Sequence, residues 1–108
     1  MMRVDAWYLA STPCDMRAGM DSFLARVVAV FGSARPHVAY AFANTRANRI
    51  KVLLHDGYGL WLCTRRLHLG GFVWPRGDTA QVELDAQQWQ ALTVGLPWHR
   101  LGSSISQV

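Results

Sequence analysis

The stretch NTRANRIKVLLHDGYGLWLCTRRL, residues 44–67, concentrates the side chains in this sequence that could do chemistry. Arg46, Arg49 and Lys51 lead into an Asp-Gly turn, and Trp61, Arg65 and Arg66 lead out of it. Arginine holds phosphate bidentately through a planar fork and stacks on rings. Cations interleaved with an aromatic match what a nucleic acid offers, namely backbone charge and a base or sugar face. The chemistry expected is therefore polyanion binding. Arg46, Arg49, Lys51 and Arg65 would contact phosphates, with Arg66 a further cation and Trp61 a stacking platform. Arginines on the outer face of an antiparallel sheet also serve simply as a solubilising surface, and Trp61 could lie beneath a neighbouring loop.

Catalysis fits the remaining residues poorly. Metal-dependent strand transfer needs a cluster of carboxylates, and the chain has seven acids. Asp56 reads as a turn residue with Gly59, and Asp85 as a helix cap. Asp15 reads as the cap of the first helix, with Arg17 anchoring a neighbouring loop or acid. No carboxylate trio is left. His55 and Asp56 are adjacent on a strand and so point to opposite faces. No Gly-rich phosphate loop is present. Cys14 and Cys63 form no Cys-x-x-Cys pair, and the four histidines have no zinc-like spacing. No catalytic residue, metal or cofactor is expected.

These side chains must be held by a hairpin, residues 49–55 and 59–66, whose register decides which of them meet. A two- or four-residue loop puts Leu60 and Leu62 beside Arg49 and Lys51. A three- or five-residue loop puts them beside Ile50, Val52 and Leu54. The second register separates an apolar face from a face bearing Arg49, Lys51, Trp61 and Arg65, with Arg66 on the other side. Burial of each aliphatic side chain is worth roughly 1.5–3 kcal/mol, which favours that segregated register. Gly57 and Gly59 could take the positive φ of such a bulged loop. Ile50, Val52, Leu54, Leu60 and Leu62 would then face Val27 and Val28.

Around the hairpin, Met16, Met20, Phe23, Leu24, Val27, Val28 and Phe31 recur at spacings of three and four, an amphipathic helix ended by Gly32 and Pro36. AWYLAS and VAYAFA read as strands, and residues 80–84 as one more short strand. Asp85 and Gln88 form a capping-box pair, and Leu84 and Trp89 occupy the staple positions of a last helix ended by Gly95. The fold class expected is α+β: an antiparallel β-meander packed with an N-terminal amphipathic helix and a C-terminal helix. One small domain over residues 1–100 would be followed by a disordered tail at 101–108.

Composition agrees with a compact domain. Of 108 residues, 51% are hydrophobic and 17% charged, too apolar for a disordered chain. Net charge is +4, and ten of the eleven basic residues are arginine, which permits an acidic partner. The N-terminus has no long apolar run of the kind a signal peptide needs, and FLARVVAVF is short and carries Arg26. A cytoplasmic protein without membrane partners is expected.

Three blocks carry a family likeness. They are PCDMRAGMD; FANTRANRIKVLLHDGYGLWL, through Phe42, Asn44, Arg46, Arg49, Lys51, Asp56, Gly59, Trp61 and Leu62; and RRLHLGGFVWP, through Arg65, Arg66, Leu67, Gly70, Phe72, Trp74 and Pro75. Over residues 13–75 the chain resembles the small TnpB-type accessory protein of the insertion sequence 66 family of bacterial transposable elements. It departs from the family pattern at Thr45, His68 and Gly71, where other members often carry charge. The resemblance implies an accessory role in transposition beside a separate catalytic transposase. Two physical roles are open: binding element DNA, such as transposon ends, through the basic hairpin, or scaffolding the transposase and other element-encoded proteins through a docking patch of Trp61, Phe72 and Trp74.

Overall fold

The computed structural model describes residues 3–77 and 79–101; most of the tail expected at 101–108 lies outside them. The elements run β1 (Ala6–Ala10), α1 (Met20–Phe31), β2 (Val38–Ala43), β3 (Arg49–His55), β4 (Leu60–Arg66), β5 (Gln81–Leu84), α2 (Ala86–Thr93) and a 3-10 turn (Trp98–Arg100). The five strands form one mixed sheet in the order β4-β3-β2-β1-β5. The expected meander is present as β2–β3–β4, antiparallel throughout. β1 joins β2 in parallel, through the crossover that contains α1, and β5 pairs antiparallel with β1. The class is α+β, a small compact domain.

Alternation along the central strands builds two cores. Val38, Tyr40 and Phe42 of β2 and Leu53 of β3 meet Phe23 and Val27 of α1 on one side. Leu9, Ala41, Ala43 and Ile50 meet Ala91 and Leu92 of α2, together with Phe72 and Trp98, on the other. β2 is consequently buried at every position. Its small residues Ala39, Ala41 and Ala43 all point to the α2 side, and its large ones to the α1 side. Val27 is buried as expected, but Val28 is 45% exposed.

α2 begins as its sequence predicts. Asp85 accepts from the Gln88 N–H at 2.8 Å, and the Gln88 side chain accepts from the Asp85 N–H at 3.0 Å. α1 does not begin where Asp15 would cap it. Its N-cap is Gly19, with no side-chain cap. Asp15 instead accepts the Arg17 backbone N–H at 2.9 Å in the preceding turn and pairs with the Arg17 guanidinium at 2.9 Å. That pairing holds the Asp15 carboxyl down at about 2.

The hairpin register is the one the burial argument rejected. His55 lies opposite Leu60, Leu53 opposite Leu62, and Arg49 opposite Arg66. Four residues, Asp56–Gly59, therefore close the hairpin. The Asp56 carboxylate fixes that length, its Oδ1 accepting the N–H groups of Tyr58 and Gly59, each at 2.8 Å. Gly57 has φ +94°, whereas Gly59 needs no positive φ. The rejected register wins because the hairpin has no single buried face. Leu60 and Leu62 pack on the α1 side with Leu53, while Ile50 and Val52 pack on the α2 side.

Candidate nucleic-acid interface

The register divides the sequence-predicted site residues. Arg49, Lys51 and Arg66 share the α1 side of the sheet, and Trp61 and Arg65 the α2 side. Arg66, expected apart from Arg49, is its direct cross-strand partner. Trp61 lies five residues along β4 from Arg66, roughly 17 Å.

Lys51 is turned inward. Its Nζ donates to the carbonyls of Met16 and Ala18, each at 2.6 Å, so the ammonium ties β3 to the segment that leads into α1. Arg65 donates from Nε to the Thr93 carbonyl at 2.8 Å, anchoring the last turn of α2. Arg46, Arg49 and Arg66 are exposed, and none pairs with a carboxylate among the described residues.

Arg46 sits on a turn built by Asn44. The Asn44 side-chain oxygen accepts the N–H groups of Asn48 at 3.0 Å and Arg49 at 3.1 Å, and its amide donates to Asn48 Oδ1 at 2.6 Å. Ala47 takes φ +55° within this turn and is buried. Its carbonyl accepts the Phe72 N–H at 2.7 Å, which seats the segment after β4 against the turn. Asn44 and Asn48 thus position Arg46 and Arg49, a role the charge pattern did not reveal. The signal was there in kind: asparagine is favoured at turns because its side chain bonds nearby backbone N–H groups, and here the reach extends to Asn48 and Arg49.

Hydrogen bonds between segments show how charge is distributed. At one end of the sheet, Asn44 N–H bonds to Arg49 O, Cys14 N–H to Ala43 O, and Arg76 Nη2 to Thr45 O. Arg17, Arg46, Arg49, Arg65, Arg66 and Arg76 all gather there, with Asp15 committed to Arg17. At the opposite end, Asp5 N–H bonds to His37 O and His37 N–H to His55 O. Asp5, Asp56, Glu83 and Asp85 lie at that end. These six arginines therefore form a cluster at a sheet end, not a stripe along one face. Arg3, paired with Asp5, and Arg35, bonded to Tyr8 and Tyr40, lie at the other end, and Asp21 in the first turn of α1 lies toward the basic one.

Trp61 belongs to the acidic end. It is 50% exposed, and its Nε1 donates to Asp56 Oδ2 at 2.7 Å. This bond, with those from Tyr58 and Gly59, holds the Asp56 carboxyl below its usual range. Phe72 and Trp74 do not share an exposed patch with Trp61. Phe72 is buried in the α2-side core, and half-buried Trp74 donates to the Ala10 carbonyl at 2.8 Å.

Two proteins of Sinorhizobium fredii are similar to this chain. Uncharacterized protein y4jC is 30% identical over 98 residues, covering 86% of this chain and 80% of its own length. Uncharacterized protein y4hO is 30% identical over 92 residues, covering 84% and 80%. No solved structure is significantly similar. A family model described as IS66 Orf2 like protein matches residues 5–103, and the chain belongs to that family, whose members are transposition-associated accessory proteins.

Proposed function

We propose that the protein binds element DNA without catalysing its rearrangement, and that it does so through the basic end of the sheet. The observation that carries this reading is the exposure of Arg46, Arg49 and Arg66 at one end, with no carboxylate partner among the described residues. Opposed arginines at Arg49 and Arg66 repel each other in the free protein. A phosphate between them reverses the sign of that interaction. Asp5, Asp56, Glu83 and Asp85 at the far end orient the molecule, so that a polyanion is drawn to the basic end. Lys51 is left out of the phosphate set because carbonyls already occupy its ammonium. Arg65 retains its terminal nitrogens for a flanking phosphate. Phosphate contacts position a protein without reading sequence, so element ends and random duplex should bind alike.

Exposed Tyr58 and Trp61 favour a second reading, docking of the transposase at the hairpin tip. Gel-shift titrations of duplex DNA separate the two. Under the first reading an Arg46→Ala/Arg49→Ala/Arg66→Ala variant loses binding, and Trp61→Ala retains it. If the triple variant binds DNA as the wild type does, the basic end is not the interface.

A further inference from the structure

β4 is one of the sheet's two edge strands and the longer of them, seven residues against four in β5, with no proline or bulge and with Cys63, Thr64, Arg65 and Arg66 exposed. Such an edge is a template for pairing unless something protects it. Its backbone polarity follows from the ladder. Asp56 N–H bonds to Gly59 O, so the pairs two and four residues on, including Val52 with Cys63, are the hydrogen-bonded ones. The N–H and C=O groups of Leu60, Leu62, Thr64 and Arg66 then point away from β3, toward the open edge.

We propose that β4 pairs antiparallel with β4 of a second copy, about a two-fold axis at Cys63, to give a continuous ten-stranded sheet. The strand is complementary to its own reverse. Centring on Cys63 pairs all seven residues: Leu60 with Arg66 of the second copy, Trp61 with Arg65, Leu62 with Thr64. Outward-facing backbone groups meet outward-facing groups, giving about eight hydrogen bonds. Each arginine faces an apolar or aromatic residue, and Trp61 and Arg65 fall at a close, non-hydrogen-bonded pair on the same face of the sheet. Parallel self-pairing would instead align arginine with arginine, at a cost. An isologous contact of this kind closes after two copies.

At the axis the two Cys63 residues would form a non-hydrogen-bonded pair with Cα atoms about 4.5 Å apart, within the range a disulfide spans. Cys14 is buried, which pushes its thiol pKa up, and it is a poor competitor. Mild oxidation of the full chain should give a covalent dimer that survives Cys14→Ser and is lost in Cys63→Ser. Under reducing conditions, sedimentation at tens to hundreds of micromolar should give about twice the monomer mass of 12.1 kDa. Thr64→Pro removes an outward donor without touching the β3 ladder, and Cys63→Lys puts two ammonium groups at the axis. Both variants should sediment as monomers with the wild-type circular dichroism spectrum. A wild type that stays monomeric at the highest concentration overturns the proposal, as does a dimer that persists in both variants.

Discussion

Arg49 and Arg66 face each other across the β3–β4 ladder, two cations in direct cross-strand register with no carboxylate beside them among the described residues. Like charges so placed destabilise a sheet. Removing one should therefore help the free protein while harming its binding. Arg66→Gln is expected to raise the melting temperature by about 1–3 °C at low ionic strength. The gain should shrink in high salt, where exposed charges are screened. Scanning calorimetry at two salt concentrations checks this; a drop in melting temperature at low salt would mean that Arg66 has a stabilising partner.

Lys51 should behave in the opposite way. Lys51→Met keeps the length of the aliphatic stem but leaves the Met16 and Ala18 carbonyls without their donor. A loss of about 1–3 kcal/mol is expected in urea unfolding. Measured on folded protein, the salt dependence of DNA binding should not change. A flatter salt dependence with unaltered stability would return Lys51 to the phosphate contacts.

Asp56 gives the protein an acid-sensitive element. Its carboxyl is held below the ordinary value of 3.8 by the Trp61 indole N–H and by the N–H groups of Tyr58 and Gly59. A depressed folded-state pKa means that the unfolded chain takes up the proton first as pH falls. The stabilisation is thus complete well above 3.8 and fades as pH drops through and below it. Asp56→Asn should melt lower than wild type at pH 7, with the gap narrowing toward pH 3. A gap that stays constant over that range would show that the carboxylate charge contributes nothing to the loop.

Locally determined features were legible in the sequence. The Asp85–Gln88 capping box and the helix over Met20–Phe31 depend on neighbours within a turn or two, and they appear as read except that Val28, placed on the apolar face, is exposed. The hairpin was legible as a hairpin but not in its register. Burial of a single apolar face favours the segregated register, whereas helices cover the sheet on both faces. That second cover comes from α2, which begins at Ala86, 31 residues after β3 ends at His55, and from Phe72, 17 residues after it. The same distance hid the fate of Lys51, whose partners lie 35 and 33 residues upstream. Asp15, read as the cap of the first helix, sits in the turn before it, and Gly19 took the cap. Composition revealed that the chain is basic; only the folded register of Arg46, Arg49, Arg65 and Arg66 turns that charge into a cluster at one end.

The most direct test of the central claim is the salt dependence of duplex binding, followed by fluorescence anisotropy for wild type and the Arg46→Ala, Arg49→Ala and Arg66→Ala variants. Three phosphate contacts predict a slope of log affinity against log salt of about −2.7, and each single substitution should flatten it by about 0.9, equally for element-end and random duplex. Absence of binding at low salt, or a slope that none of the three substitutions changes, would contradict the account.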